Sequence, residues 1–344
     1  MSVHSTNSGV PGVIGLEKEA VEQWFAVSVP DASPPLSFEL IAGGHSNLTY
    51  RVIDQRGRSW VLRRPPTGPV RPGAHSMGRE WRILTALQTS AVPVPPTAAF
   101  CEDVAVTGAE FYVMDYVDGI VLDGGDKAAA LSSGTRRRLS DEIVATLAQL
   151  HRIDPVVIGR RPDARSGSYV SRQLELWMRQ IMGGGAPRTP EIVEVHDILS
   201  ERRPPQRSIA LTHGDFRVGN LLVSTAGKIE AVLDWELWTM GDPLADLGWL
   251  AAWWTLDADD GWSPGRADGF LTTAELAAAY QRLTRRDTSD VPYYIGFALW
   301  RLACISEGVY ARYAAGMMGQ LPTSLEALAA RPRELAEAAR AALL

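Results

Sequence analysis

The stretch Leu211–Leu250, LTHGDFRVGNLLVSTAGKIEAVLDWELWTMGDPLADLGWL, decides how this chain folds. An apolar approach (Ile209, Ala210, Leu211) leads into a sharp turn at His213, Gly214 and Asp215. Asn220 stands five positions after Asp215. Leu221, Leu222 and Val223 then run into a Thr-Ala-Gly-Lys turn, and a second apolar strand, Ile229 to Leu233, delivers Asp234 at its end. Runs this short are strands rather than core helices. The pattern places a carboxylate and an amide on one loop and a second carboxylate just past a hairpin, all able to face one point.

Such a set suits phosphoryl transfer, which asks a protein for little covalent chemistry. It needs a carboxylate to orient an attacking hydroxyl and accept its proton, and oxygen ligands to hold Mg²⁺ across the phosphates. In kinase catalytic loops the base precedes a metal-binding Asn by five positions, and a later Asp binds metal. Asp215, Asn220 and Asp234 take those places here. Arg217, two positions after the base, is placed to offset the charge of the transferred phosphoryl group.

HGDFRVGN, LDWE and GDPLADLG together resemble the aminoglycoside phosphotransferase-like (choline-kinase-type) small-molecule kinases, nearest the branch also found fused to acyl-CoA dehydrogenases. The resemblance covers the chain from about Leu36 to the C-terminal helices. It implies an α+β, bilobal, protein-kinase-like fold: residues 1–117 as a nucleotide-binding lobe on a five-stranded antiparallel sheet, and 118–344 as a larger, mainly helical catalytic and substrate lobe. It also implies ATP and Mg²⁺ as cofactors and the hydroxyl of a small molecule as acceptor.

Composition sets the outer bounds. A chain of 344 residues, 46% hydrophobic and 22% charged, is long enough for two lobes with their own cores. A net charge of −6 argues against a nucleic-acid partner held through phosphates. The two cysteines, Cys101 and Cys304, make no disulfide framework and read as reduced thiols. The N-terminus lacks a secretory pattern, and the most apolar window, Leu247 to Leu256, is too short to span a bilayer. The expectation is a cytoplasmic protein without a membrane partner; a homodimer is left open.

Residues 1 to about 15, rich in Ser, Gly and Asn, read as disordered. A helix over Leu16–Val27 precedes strands at Phe38–Ala42, Leu48–Ile53 and Ser59–Arg63. Between the first two strands lies Gly43-Gly44-His45-Ser46-Asn47, read as the loop laid over nucleotide phosphates. It lacks the full GxGxxG spacing, so Ser46 and Asn47 are expected to supply side-chain hydrogen bonds where glycines usually sit. Kinases put a Lys at the end of the third strand, paired with a Glu on the next helix. This chain departs from that pattern with Arg63, for which Glu80 is the natural partner. Two more strands, Ala98–Cys101 and Phe111–Val117, complete the sheet, and the backbone of Asp115, Tyr116 and Val117 is expected to meet the adenine edge.

The rest reads as helical apart from the catalytic hairpins, with helices near Arg136–Arg152, Tyr169–Met182, Val291–Met318 and Ser324–Leu344, the last interrupted near Pro332. A capping box is read at Thr272-x-x-Glu275. Asp242-Pro243 reads as an N-cap with Pro at the first helical position, Asp246 as a support reaching back to the catalytic loop, and His151 as a structural contact.

Seven of the eleven tryptophans fall between Trp235 and Trp300. A filled core accounts for most of them. An aromatic wall beside the acids suits a partly apolar acceptor, such as a hydroxyacyl compound, better than a polycationic aminoglycoside. Glu236, Asp257, Asp259, Asp260 and Glu307 are the acids available to a polycation. Two competing readings stand beside the kinase. One is a nucleotide-binding protein without transfer activity, which Arg63 favours. The other is a metal-dependent hydrolase ligated by His213, Asp215 and Asp234, disfavoured by six scattered histidines with no HxH or HExxH pair.

Overall fold

The computed structural model describes residues 13–42, 47–67, 76–159, 168–183, 188–257, 262–317 and 324–344. The chain divides into two compact units, residues 1–88 with 95–117, and residues 89–94 with 118–344.

In the first unit α1 (Lys18–Ser28) precedes β1 (Ser37–Ala42), β2 (Leu48–Ile53) and β3 (Ser59–Arg64), followed by α2 (Met77–Leu87), β4 (Thr97–Cys101) and β5 (Phe111–Asp115). All strand pairs are antiparallel, in the order β1-β2-β3-β5-β4. Side-chain alternation sorts the two faces. Tyr50, Leu62 and Val113 stand side by side across β2, β3 and β5 and pack with Phe25 of α1, Trp60 and Phe111 into the core. The intervening positions Thr49, Arg63 and Tyr112 share the opposite face, which receives Glu80 of α2. Val13–Leu16 form an ordered turn, with Leu16 N–H on the Val13 carbonyl at 3.0 Å and the Tyr50 hydroxyl on that of Ile14. The expected disordered segment is thus shorter at its inner end, and its residues 1–12 lie outside the described ones.

The second unit holds α3 (Gly125–Ala129), α4 (Ser133–Leu150), α5 (Tyr169–Met182), α6 (Glu191–Glu201), β6 (Ala210–Thr212), β7 (Leu221–Val223), β8 (Ile229–Val232), β9 (Thr239–Gly241), α7 (Pro243–Thr255), α8 (Thr273–Thr284), α9 (Val291–Ala314) and α10 (Leu325–Leu343). Its strands form two antiparallel pairs, β6 with β9 and β7 with β8. Asp242 caps α7 through Leu244 N–H with Pro243 behind it, and Thr272 and Glu275 close the capping box of α8. Pro332 does not interrupt the last helix. Pro332, Leu335, Ala336 and Ala339 are buried and α10 packs along α9, so tertiary packing outweighs the lost backbone hydrogen bond. Among the described residues no helix is long and apolar enough to cross a membrane.

Candidate active site

The β6–β9 and β7–β8 pairs frame the loop from His213 to Asn220. Gly214 sits at φ +86°, and a Cβ there would stand 2.6 Å from the Leu237 carbonyl oxygen, so only glycine makes this turn. The His213 ring is buried against Trp235, with centroids 4.6 Å apart. Its Nε2 lies 2.9 Å from the Leu233 carbonyl, and its Nδ1 receives the Asp215 N–H at 3.2 Å, which assigns the proton to Nε2. Both ring nitrogens are spent on backbone, which removes His213 as a metal ligand. Among the described residues no group of three or more His, Cys, Asp or Glu able to hold a metal ion is found. The ligand set of the hydrolase reading thereby loses its histidine.

Asp246 of α7 fixes the loop backbone. One carboxylate oxygen accepts the His213 N–H at 2.6 Å and the other the Gly214 N–H at 2.9 Å. His151 adds Nε2 at 3.3 Å and holds the Tyr280 hydroxyl at 2.7 Å with its Nδ1. Burial pushes the Asp246 carboxyl up, but the hydrogen bonds it accepts from His151 and the Gly214 N–H hold it below the usual carboxylate range. Burial lowers the His151 imidazole, against the opposing pull of Asp246. The pair is therefore a neutral histidine donating to a carboxylate.

The Asp215 carboxylate has one close donor on each oxygen: Trp249 Nε1 on Oδ1 at 2.6 Å and Asn220 Nδ2 on Oδ2 at 2.8 Å. Arg217 Nε stands 3.4 Å from both oxygens, its guanidinium 4.9 Å from the Trp253 ring centre. Asn220 Nδ2 also donates to the Asp215 carbonyl at 2.9 Å, so its amide oxygen is the atom it has for a cation. Leu233 N–H meets the Asn220 carbonyl at 2.8 Å, which puts Asn220 and Asp234 at the same end of the β7–β8 hairpin. Asp234 adopts φ +66°, ψ +60°, a conformation uncommon for a non-glycine residue and concentrated at functional sites.

In the first unit Glu80, 1% exposed, faces Arg63 Nε at 3.0 Å, Asn47 Nδ2 at 3.0 Å and the Tyr112 hydroxyl at 2.9 Å. The N–H groups of Asp115 and Tyr116 are taken up within this unit, on the carbonyls of Pro96 (2.8 Å) and Ser59 (3.3 Å). Asp115 also faces Arg58 at 3.8 Å, and the Tyr116 ring lies under Arg51. Val117 ends the unit. Gly43, Gly44 and Ser46 lie outside the described residues, as do Asp259 and Asp260.

Sequence reasoning put Trp249 in the aromatic wall beside the acids without its contact to Asp215, and it missed Tyr112, Trp177 and Arg301 as site residues. Arg301, 5% exposed on α9, stacks 4.5 Å from Trp249 and 5.8 Å from Trp177, and its Nη2 lies 3.5 Å from the Gly214 carbonyl. A signal was present: a lone Arg inside the apolar run FALWRLAC.

A five-stranded antiparallel sheet with two helices, and a second, largely helical unit carrying a His-Gly-Asp loop and an acid-bearing hairpin, define the class of kinase-like phosphotransferases. The sequence pattern of the phosphotransferase enzyme family spans residues 37–283, and the chain belongs to that family. Among curated relatives, acyl-CoA dehydrogenase family member 11 of Gallus gallus is 34% identical over 292 residues, 82% of this chain and 37% of that protein. The probable acyl-CoA dehydrogenase IBR3 of Arabidopsis thaliana is 30% identical over 308 residues, again 82% of this chain and 37% of that one. The chain thus spans little more than a third of the length of these relatives. Among solved structures, a putative aminoglycoside phosphotransferase from Ralstonia eutropha superposes with a TM-score of 0.79 at 30% identity, covering 95% of this chain and 98% of that one. An aminoglycoside phosphotransferase in ternary complex with AMP-PNP and hygromycin B shares the fold at a TM-score of 0.60 and 16% identity, covering 94% and 98%.

Proposed function

We propose that this phosphotransferase moves the γ-phosphoryl group of ATP, with Mg²⁺, to a hydroxyl of a small molecule. The observation that carries the reading is the Asp215 carboxylate, gripped on both oxygens at the head of the hairpin that bears Asp234. Asp215 orients the acceptor hydroxyl and takes its proton. Arg217, already beside that carboxylate, offsets charge on the transferred group. Arg63, held by Glu80, serves the nucleotide phosphates. The nucleotide assignment draws support from the fold neighbour in complex with AMP-PNP.

The donor set suits magnesium. The amide oxygen of Asn220 and the carboxylate of Asp234 are hard ligands, and Mg²⁺ takes one or two carboxylates with substrate phosphates rather than an all-protein cage. When bound, the ion would neutralise charge on the phosphates; the residues position what reacts.

The acceptor is assigned as a hydroxyl compound with an apolar or acyl portion, the hydroxyacyl class foremost. Trp249, Trp253 and Trp177 surround Asp215, Arg217 and Arg301. Of the acids a polycation would want, Glu307 is committed to Arg188 N–H and the Thr189 hydroxyl, both at 2.8 Å, and Asp257 to Arg266 at 2.8 Å. Localisation in the cytoplasm remains part of this proposal.

Acceptor-dependent ADP release, screened over hydroxylated metabolites and antibiotics, tests the assignment. Asp215→Ala should lower turnover on the order of 10²–10⁴-fold, the usual worth of a general base. Near-wild-type turnover would remove Asp215 from the role. The competing reading, nucleotide binding without transfer, rests on Arg63 in the place of a Lys. It predicts thermal stabilisation by ATP that is indifferent to Mg²⁺.

A further inference from the structure

Asp215 owes its orientation to more than the loop that carries it. The shortest contact to its carboxylate, 2.6 Å, comes from the indole N–H of Trp249, which is 3% exposed on α7. The same helix carries Asp246 three residues earlier, on the same face. One face of α7 therefore grips the loop twice: Asp246 by the backbone of His213 and Gly214, Trp249 by the side chain of Asp215.

Trp249 also differs from the buried tryptophans around it. Trp235, Trp254 and Trp300 give their indole N–H groups to the backbone carbonyls of Val232, Leu271 and Ile192, an ordinary way to satisfy a buried donor. Trp249 gives its own to an ionisable carboxylate. Behind its ring lies Arg301, whose charge is buried with no carboxylate at ion-pair distance among the described residues. A guanidinium in such surroundings is costly unless it has work there. Its contacts say what that work is. The flat guanidinium lies against the Trp249 ring, and Nη2 reaches the Gly214 carbonyl. A cation on the ring face fixes the indole and draws electron density from it, which strengthens the N–H as a donor.

We propose that Trp249 is a positioning residue for Asp215, with Arg301 clamping the indole from behind. Oδ1 is held by Trp249 and Oδ2 by Asn220, so the carboxylate keeps one rotamer and presents its remaining lone pairs to the incoming hydroxyl. The inference rests on the reading of Asp215 as the base.

Trp249→Phe keeps an aromatic ring and removes the N–H. With MgATP hydrolysis to water as the assay, kcat should fall about ten- to a hundredfold, the scale of a misplaced catalytic group. The KM for ATP and the melting temperature should stay near wild type. Trp249→His, which returns a ring N–H, should recover part of the loss. Added to Asp215→Asn, Trp249→Phe should cost no further rate, because the two act as one unit. Multiplicative losses, or a Trp249→Phe kcat within twofold of wild type beside an inactive Asp215→Asn, overturn this inference and leave the base assignment standing. An Asp215→Asn variant with normal rate overturns both. A measurement free of turnover is the Trp249 indole N–H resonance, identified by its loss in Trp249→Phe. Asp215→Asn should shift it upfield, and an unmoved resonance counts against the contact.

Discussion

Among the buried carboxylates, Glu80 in the first unit and Asp246 in the second each hold residues of the candidate site, and the two are used differently. Glu80 binds side chains: Arg63, Asn47 and Tyr112. Asp246 binds backbone: the N–H groups of His213 and Gly214, with His151 as its one side-chain partner among the described residues. A carboxylate holding side chains tunes where a cation sits. A carboxylate holding two successive N–H groups determines whether a loop exists at all, because buried N–H groups left without a partner are rare and expensive. Loss of Asp246 should therefore be read in folding, and loss of Glu80 in nucleotide affinity.

The largest effect is expected at Asp246. Asp246→Ala strands two backbone donors and leaves His151 facing a void, and breaking such a buried arrangement costs about 3–5 kcal/mol. Urea unfolding of the purified variant should show the midpoint falling with an unchanged slope. Asp246→Asn, which keeps one acceptor, should fall between the two. A variant as stable as wild type would show that β6 and β9 hold the loop unaided.

How much of this was legible beforehand follows from what each feature needs. The sheet of the first unit shows in its alternation, since Tyr50, Leu62 and Val113 face one way and Thr49, Arg63 and Tyr112 the other. The loop contacts show in spacing, because Asp215, Arg217 and Asn220 meet within six residues of chain. Asp246 is readable from the Asp-Pro start of α7. What stayed hidden depends on partners far apart in sequence. The Trp249 indole reaches back 34 positions to Asp215, and Arg301 reaches 87 to Gly214. The strands β6 and β9 are three residues each, too short to carry a period, and only their mutual pairing defines them. The continuity of α10 through Pro332 is likewise a packing outcome against a local rule.

A smaller effect, of a different kind, is expected at Glu80. Glu80→Gln keeps the volume and removes the charge opposite Arg63. A hydrogen bond to a charged group is worth about 1.5–3 kcal/mol, so the KM for ATP should rise on the order of tenfold or more while the unfolding midpoint moves less than in Asp246→Ala. Arg63→Lys keeps the charge but loses the planar fork and should give a partial rise. Should Glu80→Gln instead unfold the protein as readily as Asp246→Ala, the contrast between the two carboxylates collapses.

The smallest effect is a matter of pH, and it separates His151 from the carboxylate it serves. Burial lowers the folded-state pKa of His151, so below about pH 6.5 the unfolded chain takes up a proton that the folded chain refuses. Stability then drops as pH falls through that range, by about 1 kcal/mol or less between pH 7 and pH 6 from this one group. Asp246, whose folded pKa is depressed, behaves in the other window: its contribution is present above about pH 4 and is lost only as pH falls further, through the folded value. Melting curves of His151→Gln against wild type from pH 7.5 to 5 should show the variant less stable at the upper end and flatter across the range. If both proteins lose stability in parallel, the acid sensitivity belongs to other groups, and His151 serves Asp246 by hydrogen bonding alone.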